Sequence, residues 1–327
     1  MNSFGTFFRI SIYGESHGDE VGIIVDGCPP GISLAVEDFK QDLDRRRGGV
    51  LKGTTPRSET DTPVIRSGIF NGHSTGAPIL IAFENTNIRT ADYENLRAIP
   101  RPGHADWVAH YKFAGFEDYR GAGHFSGRLT VCLVAAGVIA KKILSQAYPS
   151  LQFSGVLTEL GGSSDLEAGL QKAIDAKDSV GGIVSCSVSG IPPGLGEPFF
   201  DSAESLISHL VFSIPAVRGI EFGTGFKAAS MFGSEHNDPI IDPQGITETN
   251  HAGGVVGGIS NGNELIFRVA IKPASSTPKS QHSYSYESRM VENFSIRGRH
   301  DLAIALRVPV ILESVTAIVL ADLLFRK

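Results

Sequence analysis

Two long stretches of the chain are apolar almost without interruption, and strand-like alternation precedes each. Residues from Ser126 to Tyr148, which include VCLVAAGVIAKKIL, carry apolar side chains at helical spacing, as does the tract from Leu302 to Phe325. Ahead of the first lie a predicted strand, Phe7 to Tyr13, and then GIIVDGCPPGISLAVEDF, Gly22 to Phe39. Ahead of the second lies IVSCSVSGIPPGLGEPFF, Ile183 to Phe200. Both are β-branched runs that end in G-x-P-P-G and lead into a segment of helical character. SGIFNGHSTGAPILIAFEN (Ser67 to Asn85) and GGISNGNELIFRVAIKP (Gly257 to Pro273) repeat another order. Each is a short strand, a glycine turn and a second alternating strand, the pattern of a hairpin.

Pro-Pro-Gly alone is common turn chemistry. The shared order of strand, PPG, helix, hairpin and long helix says more. It predicts a duplicated α+β chain whose halves, about residues 1–150 and 151–327, pack as layers around one core. No linker rich in proline, serine or charge divides them, so the chain reads as a single domain. A site would then lie between the halves, built from the segments that open each terminal helix.

Composition narrows the class. Hydrophobic residues make up 41% and charged residues 20%, enough apolar side chain for a sizeable core. A formal net charge of −6 argues against general nucleic-acid binding. Cys28, Cys132 and Cys186 lie far apart without metal-ligand spacing, which points to reduced thiols and no metal. The N-terminus lacks the basic start and apolar run of a signal peptide. Arg307, Pro309, Glu313 and Asp322 interrupt the most apolar tract, which therefore reads as a buried core helix rather than a membrane span. A cytoplasmic protein is expected.

Candidate chemistry sits on the turns. GESHG (Gly14 to Gly18) matches G-x-S-x-G, but a nucleophile elbow needs a helix after the serine. DEVGIIVDG follows instead, which is β-like, so Ser16 is disfavoured as a nucleophile and His17 becomes the residue of interest. RPGHADW places Arg101 and His104 on a Pro-Gly turn before a predicted helix. RGAGHFSGR carries Arg120, His124, Ser126 and Arg128 on a glycine-rich turn that opens the first long helix. RGRHD puts Arg297, Arg299, His300 and Asp301 before the second. A surface carboxylate would account for any one of these arginines. Three such turns in one acidic chain point to a cationic, phosphate-binding cleft, since helix starts and arginines both favour anions. DLDRRRGGVLKGTTPR adds Arg46, Lys52 and Arg57, either as helix C-terminal charges or as a loop that closes over an anionic ligand. No Rossmann fingerprint, P-loop or zinc spacing is present.

GESHG with VDGCPPG, DLDRRR, RPGHAD, SGRLTVCLVAAGVIAKK, NHAGGVVGGISNG, IKPASSTP and GRHD, in this order, resembles the chorismate synthase family over nearly the whole chain. The resemblance implies a pseudo-duplicated β-α-β sandwich and, as a rule, a homotetramer. It implies a lyase that uses reduced FMN (FMNH2) to eliminate phosphate from 5-enolpyruvylshikimate 3-phosphate, giving chorismate, with an external flavin reductant as the default. Carried over residue by residue, it makes His17 and His104 the acid–base histidines, His17 toward the substrate phosphate and His104 toward the flavin, with Asp301 helping to receive the ring proton. Arg46, Lys52, Arg101 and Arg128 become candidates for substrate contact. Flavin contact falls to His124, Phe125, Ser126, Pro215, Ala216, Gly257, Lys272, Pro273, Ala274, Ser275, Ser276 and Arg299; His251 receives only a structural role. This chain departs from the family at His124 and Lys52, where arginine is common, and at Pro215, where asparagine is common.

Overall fold

Why the two apolar tracts stay together follows from what each must bury. In the computed structural model, which describes residues 2–49, 52–55, 59–87, 98–296 and 301–326, both are helices packed along each other. The first half runs β1 (Ser3–Phe4), β2 (Arg9–Gly14), β3 (Glu20–Asp26), α1 (Lys40–Arg46), β4 (Val64–Ser67), β5 (Ile69–Phe70), β6 (His73–Ser74), β7 (Ile79–Glu84), α2 (Asp106–Lys112) and α3 (Thr130–Ala147). The second runs β8 (Gln152–Leu160), α4 (Leu166–Ala176), β9 (Gly182–Ser189), α5 (Ala203–Val211), β10 (Val217–Phe222), the single turn α6 (Gly233–His236), β11 (Val255–Val256) and β12 (Ile259–Ser260). It ends with β13 (Leu265–Ile271), β14 (Gln281–Tyr284), β15 (Val291–Phe294) and α7 (Pro309–Leu324).

The duplication is visible in the sheets. The first has the order β1-β2-β3-β7-β4 and the second β10-β13-β9-β8. Leaving aside β1 and reading the second from its other edge, the order β2-β3-β7-β4 matches β8-β9-β13-β10. All these pairings are antiparallel. Helix α3 lies against β3, helix α7 against β8 and β9, and the helices fill the space between the sheets. The result is a β-α-β sandwich of α+β class, as expected from the sequence.

Alternation explains the sheets and its loss explains the helices. In β13, Leu265, Phe267, Val269 and Ile271 are buried while Arg268 points outward, the signature of one buried face. In α7 every residue from Val310 to Leu323 is buried, because the helix is covered all round. The 120–147 stretch is long and apolar enough to cross a membrane, yet 78% of its apolar window is buried inside the protein.

The predicted helix from Leu302 begins later than expected. Residues Ile304–Arg307 form a 3₁₀ turn, and α7 starts at Pro309, whose missing N–H costs nothing at a first helical position. The two predicted hairpins also differ. Strand β7 pairs with β3 and β4, and β13 with β9 and β10, while β5–β6 and β11–β12 are separate two-stranded ribbons. Gly68 (φ +83) and Gly258 (φ +88) turn the chain there through a conformation costly to other residues.

The polar residues inside the second tract are fasteners. Glu313, 3% exposed, accepts bonds from Arg45 Nη2 (2.6 Å), Lys141 Nζ (3.0 Å) and the Gly155 N–H (2.8 Å), tying α7 to α1, α3 and β8. Asp322, fully buried, accepts from the N–H groups of Thr6, Phe7 and Phe8 at 2.6–2.9 Å and so pins the N-terminal segment to α7.

The two long helices are in tight contact where Gly137 meets Ser314: a Cβ on Gly137 would come within 2.6 Å of Ser314 Cα. Alanine is the better helix former by about 1 kcal/mol, but overpacking a tight interior contact costs about 1–3 kcal/mol. Gly137→Ala is therefore expected to lower the urea-unfolding free energy, and an unchanged midpoint would show that the helices have room to separate.

Candidate active site

The GESHG turn is held from two directions. From one side, Asn85 donates through Nδ2 to the carbonyls of Glu15 (3.0 Å) and Gly18 (2.8 Å). From the other, Gly123 O accepts the Ser16 N–H at 3.1 Å. Gly121 lies so close that a Cβ there would overlap the His17 ring, which explains why this turn is built of glycine at φ +56. Ser16 is fully buried and His17 is 4% exposed. A buried serine has no approach for an acyl substrate, which agrees with the disfavoured elbow.

Asn85 also accepts, through Oδ1, from Arg128 Nε at 3.0 Å. Arg128 continues to Asp61 through Nη1 and to Glu84 O through Nη2 at 3.2 Å. The other oxygen of Asp61 takes Arg46 Nη1 at 3.1 Å. One carboxylate thus serves two guanidinium groups, and all three side chains are at most 4% exposed. Arg46 Nε is buried without a partner among the described residues. Burial draws the Arg46 guanidinium down to about 9 against the pull of Asp61, and Arg307 and Arg128 add to the fall. It still carries its charge at neutral pH, so the group holds more positive charge than Asp61 cancels.

Arg307 Nε donates to Arg46 O at 2.8 Å, and its Nη1 stands 3.5 Å from Asp301 Oδ2. Asp301 Oδ1 accepts the Thr55 N–H at 2.8 Å, and Gly53 O accepts from the N–H groups of Leu302 (3.0 Å) and Ala303 (3.3 Å). These bonds bring exposed Lys52 and its loop beside Asp301.

A second set of bonds gathers around His104. Its Nδ1 lies 2.6 Å from Asp106 Oδ1, and Arg101 grips the same carboxylate through Nε (2.7 Å) and Nη2 (2.8 Å). Arg101 Nη1 donates to Ser276 Oγ at 3.1 Å. Gly103 O accepts from Lys272 Nζ (3.0 Å) and Ser275 Oγ (2.7 Å). Burial, with Arg218 nearby, lowers the Lys272 pKa. Desolvation pushes Asp106 up, but the bonds from Arg101 and His104 outweigh it and hold the carboxyl well below its ordinary range. The carboxylate fixes the imidazole by one nitrogen and leaves the other for chemistry.

The two sets are joined. Ser179 Oγ donates to Ala274 O (2.7 Å), Thr277 Oγ1 to Asp178 Oδ1 (2.8 Å), and the Val180 N–H to Leu302 O (2.8 Å). A continuous run of bonded residues therefore leads from the His17 turn through Asn85, Arg128, Asp61, Arg46, Arg307 and Asp301 to the Lys272–Ser276 segment and His104.

Beside His104 opens a cavity of about 1230 Å³, lined among others by Tyr13, Glu15, Phe113, Glu117, His124 and Phe125. Among the described residues its wall carries Glu15, Asp106, Glu117, Asp118 and Glu287 but no lysine or arginine. His17 does not line it; the neighbouring Gly14, Glu15 and Ala122 do. Among the described residues the second half contributes Tyr286 and Glu287 alone, so the cavity as described belongs mainly to the first half and is not centred between the halves. His124 Nδ1 donates to Gly14 O at 2.8 Å, and Ser126 Oγ accepts the Arg128 N–H at 3.3 Å.

The remaining sequence candidates scatter. Ala216 O accepts the Lys272 N–H at 2.9 Å, which sets Pro215 and Ala216 beside the Lys272–Ser276 segment. Gly257 (φ +64) occupies an exposed ribbon turn with open space around it, away from the cavity wall. Arg120 pairs with Asp118 at 2.8 Å. Arg57, Arg297, Arg299 and His300 lie outside the described residues. Sequence reasoning missed Asp61, Asn85 and Asp106; Asp106 stood in the quoted RPGHADW motif beside Arg101 and His104, while Asp61 and Asn85 carried no comparable signal.

The family model for chorismate synthase matches residues 8–325. The chain belongs to the chorismate synthase family. A chorismate synthase of Chitinophaga pinensis is 65% identical over 322 residues, covering 98% of this chain and 96% of that one. Chorismate synthases of Dehalococcoides mccartyi strain BAV1 and Pyrococcus abyssi are each 42% identical, the first covering 99% and 97% of the two chains and the second 99% and 98%. A solved structure, "Crystal Structure of Chorismate Synthase", superposes with a TM-score of 0.74 at 23% identity, over 99% of this chain and 93% of that one; it speaks for the fold alone. Membership in the chorismate synthase family makes this chain an enzyme of aromatic amino acid biosynthesis.

The Asp106 pair gives a pH prediction. A carboxyl whose folded pKa is depressed contributes stability above its unfolded value, near 3.9, and loses it as pH falls through the folded value. Asp106→Asn should destabilise the protein by about 3 kcal/mol at pH 7, because Arg101 is left buried and unpaired. It should also flatten the loss of stability below about pH 4. Urea unfolding of both proteins across pH 3–7 checks both; parallel curves would refute the assignment.

Proposed function

We propose that this chain catalyses the 1,4-elimination of phosphate from 5-enolpyruvylshikimate 3-phosphate with reduced FMN, yielding chorismate. The observation that carries the reading is the run of bonded residues that joins buried His17 and partly exposed His104 to Arg46 and Arg128, whose positive charge exceeds what Asp61 offsets among the described residues. A substrate with one phosphate and two carboxylates needs such charge, and a preorganised site supplies it without reorganisation during the reaction.

The residues fit the flavin. The cavity is large and rich in aromatic rings, and Glu117 Oε2 and Tyr286 Oη on its wall are buried without a partner among the described residues. The N–H and carbonyl groups of an isoalloxazine edge would complete them. His104, His124, Phe125 and the neighbouring Ser126 would hold the ring system, and the Lys272–Ser276 segment, with Pro215 and Ala216, the rest of the cofactor. The acidic wall favours the ring over the phosphates, which belong with the cations.

When bound, reduced FMN supplies electron density as the carbon–oxygen bond to phosphate breaks. The chain's own residues bind, orient and move protons. Arg46, Arg128, Arg101 and Lys52 hold the anionic groups, each needing to share or exchange its present carboxylate or solvent partner. His17 supplies a proton or positive charge to the departing phosphate. His104, oriented by Asp106, governs protonation beside the ring, and Asp301 helps to take the proton lost from the substrate carbon. The working form on this reading is a single-domain subunit of a cytoplasmic homotetramer, fed by an external flavin reductant. Exposed Phe226 (85%), Phe232 (76%) and Ile240 (72%) offer apolar contact surface for subunits.

Under anaerobic conditions with fully reduced FMN, purified protein should release one phosphate per chorismate formed. No phosphate release would refute the reading. Because positioned acid–base groups contribute about 10²–10⁴-fold, His17→Ala and His104→Ala should each slow turnover in that range with little loss of FMN affinity, read by flavin absorbance titration. Near-normal turnover in both would reject the assigned roles.

A further inference from the structure

Asn85 stands at the end of β7, 9% exposed, and makes three side-chain bonds of fixed polarity. Arginine can only donate and a carbonyl can only accept, so Oδ1 must face Arg128 and Nδ2 must face Glu15 and Gly18. Its N–H also donates to Asp19 O at 3.0 Å. The two carbonyls it bridges flank Ser16 and His17, so the amide closes the ends of the turn that carries the imidazole. The same amide ends the guanidinium run that includes Arg128, Asp61 and Arg46.

We propose that Asn85 is a positioning residue that sets the His17 imidazole and couples it to the Arg46–Asp61–Arg128 core. The proposal rests on the reading of His17 as a group acting at the substrate phosphate. An anion that draws Arg128 toward itself pulls on Asn85 Oδ1, and the rigid amide passes that displacement to the carbonyls on either side of His17. The Gly121–Gly123 turn blocks movement on the opposite face, so the imidazole responds to the arginine core rather than drifting.

Two variants test it. Asn85→Asp keeps the size and the acceptor toward Arg128 but faces a carboxylate against two carbonyls; Asn85→Ala removes all three bonds. The first readout needs no turnover: NMR of the flavin-free protein with ¹³C-labelled histidine, the His17 signal being the one lost in His17→Ala. In both variants that signal should move and titrate at a displaced midpoint, while the His251 signal stays. An unmoved His17 signal in either folded variant would overturn the proposal, and Asn85→Asp carries the test should Asn85→Ala fail to fold. The second readout is kinetic. kcat should fall about tenfold or more with KM changed less than about threefold, and the double variant His17→Ala/Asn85→Ala should be no slower than His17→Ala within about threefold. Losses that multiply would overturn the coupling. Wild-type turnover in His17→Ala would instead overturn the role of His17, and the NMR shift would still decide whether Asn85 sets the ring.

Discussion

Burying two guanidinium groups around one carboxylate imposes a condition that much of the molecule obeys. Removing a charge from water costs several kcal/mol unless partners of good geometry replace the solvent. Arg46 ends α1, Arg128 opens the approach to α3, and Asp61 lies on the loop before β4; none can shift alone without stranding the others. Their remaining polar atoms recruit Asn85, Glu84 O and, through the Arg46 carbonyl, Arg307 just ahead of α7. The segments that bear His17 and Asp301 thereby inherit fixed places. Among the described residues, Asp61 offsets the charge of one of these two guanidinium groups and not both.

The two sheets and two long helices make such an arrangement affordable. Helices α3 and α7 are mostly apolar and buried along most of their length, so they lie between the sheets, which gives a stiff frame. The segments that open these helices then meet near one end of that frame. Within the frame each charged residue is individually bonded: Glu313 to three separate elements, Asp322 to three successive N–H groups. Buried charges of this kind fix register, since a one-residue slip would break every bond at once.

Separation of charge divides the candidate site into two kinds of space. Among the described residues the cavity beside His104 has carboxylates and aromatic rings but no lysine or arginine on its wall. The cations lie apart, bonded to Asp61, Asp106 and Gly103 O. His104 and the turn holding His17 stand where the regions meet.

Alternation and helical spacing are local properties, so the strands, the long helices, the repeated order of elements and the importance of the glycine-rich turns were all legible in the amino-acid order. The resemblance of GESHG, RPGHAD and GRHD to a known family named the histidines and arginines as well. Their partners were not legible. Asp61, 67 residues before Arg128, and Asn85, 70 residues after Glu15, meet them only because the sheet and helices fold the chain back. The same holds for strand neighbours: β7 and β13 each looked like one arm of a hairpin, yet each found its place in the middle of a sheet. Residue order sets which groups are available and which local shapes are cheap. Which charge faces which is settled only when the fold brings buried polar groups from distant segments together.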